Sequence, residues 1–215
     1  MTTDFHLGVA QSATSAGPLE GVNLLITRPV MPASRTATRV AALGATPLIF
    51  PTLIIEPVAP AGAAPLKAAL ANLSNCYAAI FVSPSAAEMT IAPLSSAPIK
   101  LPPSLKIFAP GPGTAEELAR LGMADTQMPS ESFDSEGLLA LPDLQAAAVK
   151  SKRIVIFRGN DGRELLREAL IARGATVDAV TAYTRRAPNT PPTGLVELLR
   201  SGKVNAISAM SSDAI

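Results

Sequence analysis

This sequence predicts an α/β protein built as two parallel-sheet halves. Three observations carry that expectation. Short apolar runs of strand length alternate with segments of helical periodicity, and parallel strands need such crossovers. The chain also repeats itself. Thr27-Arg28-Pro29 closes one apolar run and Leu43-Gly44-Ala45-Thr46 follows. Phe157-Arg158-Gly159 closes another, and Arg173-Gly174-Ala175-Thr176 follows at the same spacing. Finally, with 215 residues of which 48% are hydrophobic, there is material for a substantial core.

In order along the chain, Val22–Thr27 reads as a buried strand closed by Arg28-Pro29. Ser34–Leu43 has helical spacing, with Val40 and Leu43 on one face and Arg35 and Arg39 on another, and Gly44 stops it. Leu48–Ile55 is β-rich, but Pro51 inside it predicts an edge strand or an extended linker. Pro57–Pro65 reads as a connector, Leu66–Leu73 as a helix and Ala78–Ser83 as a strand. Ser85, with Glu88 three residues on, predicts a capped helix start. Leu105–Ala109 is a strand, Thr114–Leu121 a helix ending at Gly122, and Ser135–Leu141 a short helix. Arg153–Phe157 is a strand, and Asp161–Ala172 a helix with Leu165, Leu166 and Ala169 on its apolar side. Val177–Tyr183 is β-rich, Leu195–Arg200 helical, and Val204–Met210 a strand. The β-rich segments at 48–55 and 176–183 follow equivalent helices and are candidates for a pair of linking strands.

The second copy has no counterpart of Leu105–Leu121, so the half it builds is expected to be incomplete at its C-terminus. Duplicated α/β halves usually hold their ligand between them. One wall of that site is then expected to be missing, with little or no activity for the chain alone.

Composition narrows the function. A net charge of +1 and 4% aromatic residues argue against a nucleic-acid partner. Cys76 is the only cysteine and His6 the only histidine, so a disulfide framework, a His-based triad and a His- or Cys-ligated metal are not expected. Residues 1–17 hold no Lys or Arg and lack the start of a signal peptide. Prolines 47, 51, 57, 60 and 65 break the longest apolar stretch, so no membrane helix is expected. The default is a cytoplasmic protein with a flexible tail.

In open α/β sheets ligands sit at the carboxyl ends of strands. Those points here are Arg28-Pro29, Ser83-Pro84-Ser85, Gly111-Pro112-Gly113-Thr114, Arg158-Gly159-Asn160-Asp161 and Ser211-Ser212. They are small and polar, and they free backbone N–H groups to face an anion. Each has a plainer reading. Ser85, Thr114 and Ser212 can be simple helix caps. Arg158 can pair with a surface carboxylate, and Arg185-Arg186 can be a solvated charge pair. Tyr183 can be an ordinary strand tyrosine with its hydroxyl at the rim, and Cys76 a core filler.

Taken together the pieces resemble the uroporphyrinogen-III synthase family from Val22 to Ile215. They are Leu25-Ile26-Thr27-Arg28-Pro29, Leu43-Gly44-Ala45, Phe81-Val82-Ser83-Pro84-Ser85-Ala86 and Gly111-Pro112-Gly113-Thr114-Ala115. Ser135-Glu136-Gly137-Leu138-Leu139, Arg158-Gly159-Asn160 with Arg163-Glu164-Leu165-Leu166, and Val180-Thr181-Ala182-Tyr183 complete the set. The resemblance implies two flavodoxin-like domains joined by a two-stranded linker. Residues 1–21 are then the tail, 22–47 and 188–215 a discontinuous, incomplete domain, 48–57 and 176–187 the linker strands, and 58–175 the second domain. It also implies a hydro-lyase without cofactor or metal. Hydroxymethylbilane loses water, ring D is inverted, and the macrocycle closes as uroporphyrinogen III. The implied substrate-binding residues are Arg28, Ser83, Ser85, Gly113, Thr114, Arg158, Gly159, Asn160, Ser211 and Ser212, with Tyr183 as proton donor. The C-terminally complete protein is implied to be a monomer. The alternative is a non-catalytic two-lobed module that binds a polycarboxylate or tetrapyrrole.

Overall fold

The computed structural model describes residues 17–94, 101–162, 164–189 and 193–209. The chain divides into two compact units. One takes the described residues up to Ile55 and from Arg186 onward, and the other runs from Glu56 to Arg185.

In the first unit a three-stranded parallel sheet has the order β2-β1-β9: β1 is Asn23–Ile26, β2 Thr46–Ile49 and β9 Ala206–Ser208. Helix α1, Val30–Ala41, joins β1 to β2. Its Ala33 and Ala37 face Ile26, with Leu24, Val40 and Ile49 around them. Asn205 fastens β9 to β1: its amide donates to the Gly21 carbonyl at 2.8 Å, and its Oδ1 accepts the Asn23 N–H at 2.8 Å. The expected tail included residues 17–21. Residues 17–21 form a turn held on the end of α1, where the Leu19 N–H donates to Leu43 O at 3.0 Å.

The second sheet has six strands in the order β3-β8-β7-β4-β5-β6. They are β3 Ile54–Pro57, β4 Ala78–Phe81, β5 Lys106–Phe108, β6 Thr126–Gln127, β7 Arg153–Gly159 and β8 Thr176–Arg186. The central strands are continuous apolar runs, as strands covered on both faces must be. All of Ala78–Phe81 and Ile154–Phe157 is buried, and the Phe81 and Phe157 rings stack at 4.9 Å. On one face Ile80, Phe108, Ile154 and Ile156 meet Leu138, Leu144, Leu166 and Leu170. Those leucines include members of α5, Ser135–Ala140, and α7, Leu165–Ala172; α6, Ala146–Val149, lies between these helices in sequence. The remaining helices are α2 Ala64–Ala71, α3 Pro84–Ile91, α4 Pro112–Arg120 and, in the first unit, α8 Thr193–Arg200.

Residues 48–57, expected to link the domains, divide at Pro51. Leu48 and Ile49 belong to β2 and pair with β1, and only Ile54–Pro57 lies beside β8. β8 is more than a linker, since it pairs with β7 from Arg153↔Thr176 to Gly159↔Tyr183. The helix expected from Asp161 starts at Leu165. A turn at Gly162 precedes it, with the Gly162 N–H donating to Gly159 O.

Asp143 joins the far side of this sheet to the helix layer. Its carboxylate meets Lys106 Nζ at 2.5 Å and accepts from Gln127 at 3.1 Å, while its carbonyl accepts the Tyr77 hydroxyl at 3.2 Å. The hydrogen bond from Lys106, then that from Gln127, holds the carboxyl below the usual aspartate range. Arg158 does the same to Glu164, 2.5 Å away. A carboxyl lowered in the fold adds stability above its ordinary value and loses it as pH falls through the folded value. The melting temperature should therefore drop as pH is lowered below about 4. Asp143→Asn should flatten part of that slope. Thermal melts from neutral pH to strong acid would test this, and parallel slopes for the two proteins would contradict it.

Candidate functional site

The predicted site residues that the fold brings together lie at the carboxyl ends of β4, β7 and β8, all within the second unit. β4 ends at Phe81, and the backbone turns into α3 through extended Ser83. Ser83 caps that helix, its Oγ accepting the Ala86 N–H at 3.1 Å. The cap expected at Ser85 is therefore at Ser83. Pro84 at the first helical position needs no N–H partner, which moves the start of the helix upstream. Ser85 is partly exposed in the first turn.

At the end of β7 the register with β8 slips between Arg158 and Gly159, which places Gly159 against Tyr183. Tyr183 is 0% exposed, not at the rim. The missing side chain at Gly159 makes room for its ring: a Cβ there would lie 3.0 Å from the Tyr183 Cζ and Cε2. The Tyr183 hydroxyl is 3.1 Å from Ser83 Oγ and accepts from Arg185 Nη2 at 2.9 Å. The Arg185 guanidinium also lies over the Tyr183 ring, 5.5 Å from its centroid. Asn160 straps the two strand ends. Its N–H donates to Tyr183 O at 3.2 Å, its Oδ1 accepts the Arg185 N–H at 2.9 Å, and its amide donates to Asp161 at 2.8 Å.

Arg185 is the residue the sequence reading missed. It belongs to this cluster and is no solvated charge pair; Arg186 beside it is exposed. The signal was available in retrospect. In a strand, residues i and i+2 share a face, so Arg185 had to follow Tyr183 to the same side.

Other predicted residues are placed differently. Arg158 donates to Gly162 O at 2.9 Å and bridges Glu164, which realises its plainer reading. Thr114 is buried at 4% exposure. Gly113 is exposed with open space around it. Gly111 caps α4 beneath Phe133, where a Cβ would come within 2.9 Å of the Phe133 Cβ. In the first unit Arg28 donates to Thr36 Oγ1 at 3.1 Å. Partial burial, then the nearby Arg35, lowers its guanidinium below the ordinary value. Ser211 and Ser212 lie outside the described residues. Cys76 is buried and its thiol is raised by burial.

A hollow of about 590 Å³ opens between α2 and strands β7 and β8, lined by Ala68, Asn72, Arg153, Arg158 and Asp178. Its cations are engaged: Arg153 meets Asp178 at 2.8 Å and Arg158 meets Glu164. Neither Ser83 nor Tyr183 lines it. Among the described residues no group of three His, Cys, Asp or Glu could hold a metal ion, and no helix is long and apolar enough to cross a membrane.

A two-unit α/β protein with a buried tyrosine under the carboxyl edge of a parallel sheet is the class these features define. The profile of uroporphyrinogen-III synthase HemD matches residues 34–215. The chain is 37% identical over 164 residues to the uroporphyrinogen-III synthase of Salmonella typhimurium. That match covers 76% of this chain and 65% of that protein, just under two thirds of its length. It is 31% identical over 202 residues to the synthase of Synechococcus elongatus, covering 92% and 74%. A crystal structure of a mutant uroporphyrinogen III synthase from the thermophilic bacterium Thermus thermophilus shares the fold. The TM-score is 0.55 and the identity 20%, over 87% of this chain and 71% of that one. The chain belongs to the uroporphyrinogen-III synthase family.

Proposed function

We propose that this chain is a hydro-lyase that converts hydroxymethylbilane to uroporphyrinogen III, closing the ring with loss of water and inversion of ring D. The observation that carries the reading is the Tyr183 hydroxyl, held between Ser83 and Arg185 in a member of this family. The linear substrate can ionise and cyclise unaided, giving the wrong isomer. The protein's task is then to hold one folded conformer and to supply a proton as the hydroxyl leaves. Such chemistry calls for no redox centre and no histidine.

The substrate carries eight carboxylates. Candidate partners for them in the second unit are the hydroxyls of Ser83 and Ser85, the backbone N–H groups at Gly113 and Gly159, and the side-chain amide of Asn160. Arg158 would contribute only by leaving Glu164. Tyr183 is the source of the proton. The reading places the protein in the cytoplasm, acting without nucleic acid, membrane or cofactor. Family membership favours catalysis over the binding-only alternative.

The test is the isomer ratio. Adding the chain, extended at its C-terminus to the length of its relatives, to hydroxymethylbilane should divert product to uroporphyrinogen III, and Tyr183→Phe in that protein should slow turnover about 100-fold with product affinity nearly unchanged. An isomer ratio equal to that of the unaided reaction would overturn the proposal.

A further inference from the structure

The two hydroxyls of the cluster can share one hydrogen in two ways, and burial decides between them. Each oxygen already accepts one fixed N–H: Tyr183 from Arg185 Nη2 at 2.9 Å, Ser83 from the Ala86 backbone at 3.1 Å. The oxygens are 3.1 Å apart. If Ser83 donated to Tyr183, the phenol hydrogen would need another acceptor inside a site where Tyr183 is 0% exposed. The hydrogen bonds of the described residues offer none, and a buried donor without an acceptor is strongly disfavoured. If Tyr183 donates to Ser83, the spare hydrogen belongs to Ser83, which is partly exposed at the strand end. The sequence of donors is then Arg185 to Tyr183 to Ser83 to the outside.

We propose that Ser83 is the catalytic residue that hands the proton to the departing hydroxyl, with Tyr183 behind it as the source and Arg185 as the positioning residue that fixes the direction. This rests on the synthase reading above. As the carbon–oxygen bond of the hydroxymethyl group breaks, its electron pair stays on oxygen, and the pyrrole nitrogen pair relieves the vacated carbon. Ser83 protonates that oxygen, which leaves as water. Ser83 takes the Tyr183 proton, and the phenolate stays paired with the Arg185 guanidinium. When the ring-closing carbon later sheds its proton, that proton returns through Ser83 to Tyr183. One water is lost, and no oxidant or reductant is needed.

The arrangement predicts coupling that separate structural roles would not show. Ser83→Ala and Tyr183→Phe should each lower kcat about 100-fold with KM within a few-fold, and the double variant should be no slower than either. Ser83→Asn keeps a good helix cap but lacks the hydroxyl, so it should be as slow as Ser83→Ala. Arg185→Lys should recover about tenfold over Arg185→Gln, since a cationic donor is retained. Multiplicative losses in the double variant, or full activity in Ser83→Asn, would overturn the relay. A second measurement stands apart from activity. In NMR of the unaltered chain the Tyr183 hydroxyl hydrogen should exchange slowly and show a through-space contact to the Ser83 β-hydrogens, lost in Ser83→Ala. A hydroxyl exchanging like that of free tyrosine overturns the orientation. If the chain extended to the length of its relatives leaves the isomer ratio unchanged, the synthase reading fails and donation to substrate falls with it. The NMR result then still decides which way the hydrogen points.

Discussion

Gly137→Ala should destabilise the second unit by about 3 kcal/mol or more, the upper range for overpacked sites. Gly137 sits in the first turn of α5 and is buried. A Cβ there would lie 1.8 Å from the Ser132 carbonyl oxygen and 2.8 Å from its carbon. The obstacle is backbone, so no side chain can swing away. Moving it would drag on Asp134, whose carboxylate caps α5 by accepting the Gly137 N–H at 2.8 Å. It would also disturb the buried Leu138 and Leu139 that follow. Gly113→Ala is the matched control. Its Cβ would meet nothing within 4 Å, so the change should stay within about 0.5 kcal/mol. Urea midpoints for the two variants and the unaltered chain would settle the matter, and a Gly137→Ala midpoint equal to the unaltered one would refute the steric account.

The repeat was readable in the sequence because equal spacing survives folding, and the structure honours it residue by residue. Arg28 corresponds to Arg158, and the strand registers follow at the same offset. Asn23↔Thr46 and Leu24↔Pro47 in one sheet match Arg153↔Thr176 and Ile154↔Val177 in the other. Even the left-handed positions correspond, Gly44 with Gly174 and Gly21 with Ser151. What spacing could not reveal is the exchange between copies. β9, from the second copy, lies beside β1 of the first, and β4, from the first copy, lies beside β7 of the second. The paired registers agree, Leu24↔Ala206 with Ile154↔Ala78. Local pattern fixes which residues form a strand, but its neighbour is chosen by packing across long connections. Strands as short as Thr126–Gln127 also fall below any periodic signal.

The candidate site was readable as a set of strand ends but not as a geometry. Strand-end serines, glycines and arginines mark where a ligand can approach. They do not say which side chains turn inward. Arg158 and Arg185 are both arginines just past buried strand segments. Arg158 was spent on Glu164 and Gly162, whereas Arg185 came to lie on Tyr183. Strand alternation puts Arg185 on the side of Tyr183, while the slip between β7 and β8, which spacing does not encode, sets Gly159 against that tyrosine.

Gly159→Ala should lower turnover between about 10-fold and 100-fold, the scale set by displacing a reacting group by up to an ångström. Gly159 lies in extended strand, so the added methyl meets no backbone strain. Its nearest neighbours are atoms of the Tyr183 side chain, 3.0 Å away at Cζ and Cε2 and 3.2 Å away at the hydroxyl. The ring is fully buried and its peptide is tied to Asn160, so the hydroxyl end must give way. That movement stretches the 3.1 Å link to Ser83 and the 2.9 Å link to Arg185 together. Overpacking should also cost about 1–3 kcal/mol of stability, which leaves folded protein to assay. Adding Tyr183→Phe to Gly159→Ala removes the hydroxyl that is already displaced. The combined loss should therefore be close to that of Tyr183→Phe alone, not the product of the two. Full turnover in a folded Gly159→Ala protein would mean that the position of Tyr183 does not govern the chemistry.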